Sequence, residues 1–308
     1  MTEQRMERKA VVGLGFFDGL HIGHMALIRR VRDYAQAHHL ESVVYTFDEH
    51  PNAVIHKTQF SKLLMSNEQK LAVMTEEGIQ TVIFDHFNDD LVRLSPKDFV
   101  EEVLVQRLHA AHVVVGFNYN FGANGLGNID CLLKLSKEYG FTVEVVPAVY
   151  FEGELVSSTM IRTLLEAGDV GRVERLLGRP YALPGVVSPG RQLGAKMNFP
   201  TANIYPKKNL ITPLKGVYAT IIALDGQTFQ GVTNVGTNPT VTCENTVKIE
   251  THILDFAKDI YGKNISIQFI ELIREEAKFD SIETLFVQIS KDAQKARQIL
   301  DARQRAQN

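Results

Sequence analysis

The stretch GLGFFDGLHIGH, residues 13–24, sets His21 and His24 three residues apart between an apolar run, KAVVGLG, and an amphipathic one, HMALIRRVRDYAQAHHL. A continuous apolar run followed by helical spacing predicts a buried strand and then a helix. The histidines therefore stand at a strand-to-helix turn and share one face of its first helical turn. A helix start carries unpaired N–H groups and partial positive charge, and both favour an anion. Two imidazoles add donors at the same place, and Gly19 and Gly23 leave room for a phosphate to approach the backbone. The competing reading is a pair that only caps the helix or packs on the sheet. The glycines and Asp18 in the same turn favour the phosphate site.

The elements that must position this turn follow from the rest of the first half. ESVVYTF, TVIFDHF, AHVVVGF and TVEVVPAV read as strands. NEQKLAVMTEEG reads as a helix closed by Gly78, and a further helix spans about Asn128 to Tyr139. SPKDFVEEVLVQRL reads as a helix with Ser95 as N-cap and Pro96 at its first position. Strands alternating with helices predict an α/β, doubly wound parallel sheet, whose ligands sit at the carboxyl ends of the strands. After about Gly178 the chain becomes strand-rich, with YALPGVV, GVYATIIAL, QTFQGVTNVG, VKIETHIL and NISIQFIELI. Asp225-Gly226 between two of these runs predicts a tight hairpin. Asp280, with Glu283 three residues on, predicts the capped start of a long last helix. The expectation is two domains, 1–182 and 183–308, the second an antiparallel β-barrel with a terminal helix.

The chain has 308 residues, 44% hydrophobic and 22% charged, with a net charge of −3. That length favours two domains, and the charge gives no basic stripe for nucleic acid. Two cysteines without metal spacing fit a reduced, cytoplasmic setting. The start, MTEQRMERKA, lacks a signal-peptide core, and no apolar run approaches the ~20 residues of a membrane span. Small-molecule partners are expected, with no nucleic acid and no membrane.

The string G-x-F-D-G-x-H-x-G-H resembles the FMN adenylyltransferase module of the bacterial bifunctional riboflavin kinase/FMN adenylyltransferase (FAD synthetase) family, within the H-x-G-H nucleotidyltransferases. The resemblance continues through TFDEHP (46–51), GFNYNFG (116–122), SSTMIRTLLEAGD (157–169), GRPY (178–181), NFPTANI (198–204), GVYAT, GVTNVGTNPT, IETHILDF and DIYG, nearly the whole chain. It implies that riboflavin is phosphorylated to FMN in the C-terminal domain and FMN adenylylated to FAD in the N-terminal one, with ATP as co-substrate and Mg²⁺ as cofactor. It implies that His21, His24 and Arg162 act on the ATP phosphates, and that Ser157, Ser158 and Thr159 bind there. Gly15, Phe17, Asp18, Gly19 and Gly23 form the first binding turn, in which Asp18 holds either the loop or a ribose. Asn118, with Phe117, Tyr119 and Phe121, would face the flavin, although an aromatic cluster is more often core.

FPTANI alternates Thr201 and Asn203 along an extended stretch, so a hydroxyl and an amide oxygen fall on one side. These are hard donors of the kind Mg²⁺ takes beside ATP phosphates. The resemblance makes this the kinase site. It makes Glu250 the general base, Gly190 and Gly194 a phosphate flap, and Lys196 a charge on that flap. Read alone, Glu250 is better taken as an exposed strand residue paired with Lys248 or His252, since exposed strand glutamates are common; its place in the family string reverses that preference. The chain departs from the family pattern at Asn128, Ala195 and Asn198, where aspartate, arginine and glycine are frequent. Other readings stay open: one activity retained of the two, a flavin-binding regulator without turnover, or an adenylyltransferase for a different phosphorylated acceptor.

Overall fold

A computed structural model describes residues 9–49, 62–86, 88–189, 199–237 and 247–307. The chain forms two compact units, Met1–Ser158 and Thr159–Asn308. Gly190, Gly194, Lys196, Ala195 and Asn198 lie outside the described residues, as do His50 and Pro51.

The first unit is organised by β1, Ala10–Leu14, whose residues are all buried. It lies between β2 (Glu41–Phe47) and β4 (Ala110–Gly116), with β3 (Thr81–Asp85) and β5 (Thr142–Val146) at the edges. The order is β3-β2-β1-β4-β5, every pair parallel. A strand buried on both faces needs apolar residues at every position, and AVVGL supplies them. Ala10, Val12 and Leu14 pack on one face with Phe99, Val103 and Leu132, while Val11 packs on the other with Ile28, Val31 and Met74. The covering helices are α1 (Ile22–His38), α2 (Asn67–Glu76), the short α3 (Asp89–Arg93), α4 (Pro96–Asp98) and α5 (Ile129–Tyr139). Ser95 caps α4 as expected, its Oγ accepting from Asp98 N at 3.1 Å. Beyond Asp98, however, residues Phe99–Arg107 wind as a π-helix. Periodicity predicted an ordinary helix here, and apolar spacing does not separate the two windings.

The second unit holds α6 (Ser158–Glu166), α7 (Val170–Leu177) and a six-stranded antiparallel sheet. Its strands are β8 (Tyr181–Val186), β9 (Ala202–Ile204), β10 (Gly216–Leu224), β11 (Gln227–Thr237), β12 (Val247–Ile253) and β13 (Asn264–Glu275), ordered β8-β13-β10-β11-β12-β9. The numbers β6 (Tyr150–Phe151) and β7 (Glu154–Leu155) belong to a small hairpin of the first unit. The sheet curls so that its edges meet: Ser188 N donates to Asn203 O at 2.8 Å, and Gly185 of β8 lies directly against Ile204 of β9. Asp225 and Gly226 both take positive φ, 48° and 77°, as a two-residue hairpin turn requires. The last helix, α8 (Ile282–Gln307), covers the sheet through Ala296 and Leu300 against Val217, Ala219 and Val232. Its cap is Ser281, not Asp280: Ser281 Oγ accepts from Thr284 N at 3.2 Å.

Asn128 caps α5, its Oδ1 accepting from Cys131 N at 2.9 Å. An aspartate does the same work at this position. Asn128→Ala is expected to lower the stability of the chain by about 1 kcal/mol, and Asn128→Asp to leave it nearly unchanged; thermal unfolding of the two variants checks both.

Candidate active site

In the first unit the chain runs from β1 to β2 and β3 on one side and returns to β4 and β5 on the other, so the order reverses between β1 and β4. Loops leave such a switch point in opposite directions and open a crevice at the carboxyl ends. A cleft of about 780 Å³ lies there, lined by Gly15, Phe16, Phe17 and His24 from the β1 side and by Gly116, Asn118, Tyr119 and Phe121 from the β4 side. Tyr45 forms another wall. Its phenol hydrogen-bonds the Asp85 carboxylate, which in turn accepts from Arg107 Nη1 at 2.6 Å. Burial raises the pKa of Tyr45 and of Tyr119, so both phenols stay protonated. Asn118 reaches the cleft. Tyr119 and Phe121 line it while also packing with the core, and Phe117 is exposed and does not line it.

The turn between β1 and α1 is held in an unusual path. Phe17, Gly19 and Leu20 have φ of 55°, 83° and 44°, values that cost a non-glycine residue free energy unless its surroundings fix it. Gly19 suits its place on two counts, since a Cβ there would lie 2.6 Å from Leu64 Cδ1. Asp18 is buried, and both its carboxylate oxygens accept from Leu64 N, at 3.0 and 3.2 Å. Its carbonyl accepts from Ser158 Oγ at 2.9 Å. Of the two roles open to Asp18, holding the loop is the one these contacts perform.

His21 is the N-cap of α1, and its Nδ1 accepts from His24 N at 3.2 Å. Accepting at Nδ1 places the ring proton on Nε2, leaving that nitrogen a donor. The His21 and His24 rings stack, centroids 3.7 Å apart and 16° from parallel, and Phe17 meets His24 edge-on at 5.4 Å. Burial holds His24 well below the ordinary histidine pKa, and the charges of His21 and Lys70 push the same way. His24 Nδ1 is buried without a hydrogen-bond partner. The capping role and the proposed ligand role thus fall on one pair. Gly23 sits in the first turn beside the His21 ring.

Lys70 was missed by sequence reasoning. It lies in α2, is fully buried, and donates from Nζ to Phe16 O at 3.0 Å. In NEQKLAVMTEEG it looks like any helix lysine, and its neighbour Leu71 is exposed, so local pattern offered no signal. Ser157 precedes α6 and Ser158 begins it, while Thr159 and Arg162, one turn apart on α6, belong to the second unit.

In the second unit, Asn203, Glu250 and Asn234 lie side by side on β9, β12 and β11, Glu250 opposite both. Directly opposed residues share a face. Glu250 is half-buried and ion-paired with the buried Lys248, the pairing that the residues alone suggested. His252, two residues on, donates from Nδ1 to Pro200 O at 2.8 Å and packs against Phe199. Asn203 is buried; its Nδ2 donates to Thr201 O at 3.4 Å, and its Oδ1 has no partner. An orphaned amide oxygen beside a half-buried threonine fits a hard divalent cation that takes its other ligands from phosphate and water. Asn234 was not singled out from the sequence, because a lone asparagine in a strand carries no distinguishing pattern.

Residues 3–160 match the FAD synthetase family and residues 177–300 the riboflavin kinase family. The bifunctional riboflavin kinase/FMN adenylyltransferase of Pseudomonas fluorescens is 37% identical over 291 residues, 94% of this chain and 93% of the relative. That of Listeria monocytogenes is 35% identical over 297 residues, 96% of this chain and 94% of the relative. A crystal structure described as a macrolide-efflux protein from Streptococcus pneumoniae aligns with a TM-score of 0.85 at 29% identity, covering 95% of each chain. With both halves matched in order and relatives above 30% identity along nearly its full length, the chain belongs to the bifunctional riboflavin kinase/FMN adenylyltransferase family.

Proposed function

We propose that the chain converts riboflavin to FMN and FMN to FAD, each with ATP, with adenylyl transfer in residues 1–182 and phosphoryl transfer in residues 183–308. The observation that carries this reading is the order of the two family matches along one chain, FAD synthetase first and riboflavin kinase second. An efflux role stays with the protein so described; among the described residues no helix is long and apolar enough to cross a membrane. A cytoplasmic setting goes with the reading, since Cys131 is a free thiol.

In the first reaction the FMN phosphate attacks the α-phosphorus of ATP and pyrophosphate leaves. The nucleophile is already an anion, so the site needs no general base; its work is to align the phosphates and stabilise the charge that develops on them. The cleft suits that work, because among the described residues that line it there is no carboxylate to repel phosphate. His21 and His24 offer ring N–H donors at the positive end of α1. Ser157, Ser158, Thr159 and Arg162 bind phosphate oxygens, and Asn118 with the aromatic loop takes the flavin side.

In the second reaction the riboflavin 5′-hydroxyl attacks the γ-phosphorus of ATP. A hydroxyl carries a proton that must leave, and Glu250 accepts it. Thr201 and Asn203 hold Mg²⁺. When bound, the ion offsets negative charge on the ATP phosphates.

Incubation with riboflavin, ATP and Mg²⁺, with products separated by chromatography, tests the whole reading: both FMN and FAD are expected, and a flavin-binding regulator would give neither. His24→Ala is expected to cut FAD formation by about 100-fold or more while FMN formation persists; equal loss of both contradicts separate sites. Glu250→Ala is expected to do the reverse, lowering FMN formation by about 100-fold or more and sparing FAD formation from supplied FMN. Asn203→Ala should raise the Mg²⁺ concentration that the kinase needs and leave that of FAD formation unchanged, read by metal titration of each reaction.

A further inference from the structure

An ammonium without solvent is costly to bury unless something on the inside repays its lost hydration. Lys70 is fully buried, yet within ion-pair distance it has no carboxylate among the described residues. Its Nζ donates to Phe16 O at 3.0 Å and lies 3.7 Å from the centroid of the Phe16 ring. Both contacts fall on one residue, the second of the turn that leads from β1 to His21. The Phe16 carbonyl also accepts from the buried Thr46 Oγ1, at 3.1 Å. A carbonyl that takes a hydroxyl from β2 and an ammonium from α2 is fixed in direction, and the strained dihedrals of Phe17 and Leu20 follow directly after it. The geometry points to Lys70 as a positioning residue for adenylyl transfer: its buried ammonium holds the Phe16 carbonyl, and through it the stacked imidazoles of His21 and His24. It touches neither cleft nor reacting atoms and acts through the turn.

The same charge acts on the pair electrostatically. The titratable groups facing Lys70 are Asp18 of the turn and His24 of α1, with His21 behind it; Thr46 of β2 is neutral. Asp18 favours the ammonium, but burial outweighs it and brings Lys70 down to about 8. Below that value the cation keeps protons off His24, and above it both charge and part of the clamp are lost. Transfer should therefore decline on the alkaline side from about pH 8. Unfolding by this group is not the cause there. Between about 8 and its ordinary 10.5 the unfolded chain binds the proton and the folded one does not, so its contribution to stability rises with pH.

The test uses the full chain with FMN supplied directly; kinase activity of the same sample checks the second unit, and thermal unfolding checks that the first is folded. Lys70→Met is expected to lower kcat for FAD formation by about 100-fold, with the KM for FMN little changed and FMN formation intact. Lys70→Arg keeps its charge at every accessible pH; it should recover most of kcat and lose the alkaline decline. A Lys70→Met enzyme within about threefold of the original, which is less than misplacement of a site costs, overturns the proposal, and so does a Lys70→Arg enzyme that declines at the same pH. Should neither variant fold, NMR of the lysine side chains in the unsubstituted enzyme decides: one ammonium titrating near 8 in step with the Phe17 amide supports the clamp, and all lysines titrating in the ordinary range refute it. The proposal rests on adenylyl transfer in the first unit. If His24→Ala leaves FAD formation intact, that assignment fails; if His24→Ala is inactive and Lys70→Met is not, only the role of Lys70 fails.

Discussion

The bond that His24 donates from its backbone to the imidazole of His21 constrains everything around it. Because Nδ1 must accept, His21 cannot carry a proton there, and its remaining ring proton sits on Nε2. Burial disfavours charge on His24, the second imidazole stacked 3.7 Å away. Two uncharged rings at a helix start are thus not a weakened version of two cations. In the proposed reading they are directed donors whose positive surroundings come from the helix end and from a lysine set behind them, both already in place before a phosphate would bind. The strained turn, the Asp18–Leu64 bonds and the Lys70 clamp are the means by which this arrangement is kept.

The parallel sheet supplies the place. β1 is central, and the chain departs from it first toward β2 and later toward β4, so the loops after β1 and β4 diverge and leave the cleft between them. The antiparallel sheet supplies a different sort of place. Opposed residues on three adjacent strands put two amides and one carboxylate in a row, and register alone fixes their spacing. Strand pairing there does what a clamped loop does in the first unit, and a one-residue slip would turn Glu250 to the other face along with its neighbours.

Much of this was legible in the residues. The run KAVVGLG read as a buried strand, Asp225-Gly226 as a tight hairpin, and His21, His24, Asn203 and Glu250 stood in strings that carry the family resemblance. What was not legible depends on distant contacts. The π-helical winding of 99–107 shares its apolar spacing with an α-helix. Ser281, not Asp280, caps the last helix, and one residue decides which side chain reaches Thr284 N. Lys70 and Asn234 gain their places from packing and register, and neither leaves a trace in local pattern.

The two proposed reactions differ in one chemical respect, and the two units differ in the same respect. A phosphate nucleophile arrives ionised, and the cleft that would receive it has no carboxylate among the described residues that line it. The one carboxylate in the turn, Asp18, is buried and occupied by the Leu64 amide, so its charge is spent on shape. A hydroxyl nucleophile arrives protonated, and the strand row that would receive it carries Glu250, half-buried and held by Lys248. Holding a base with a cation steadies its position but competes for the lone pair that must take the proton. The Lys248 ammonium engages Oε1 alone, so Oε2 keeps lone pairs on which the proposed base would take the proton while Oε1 stays held.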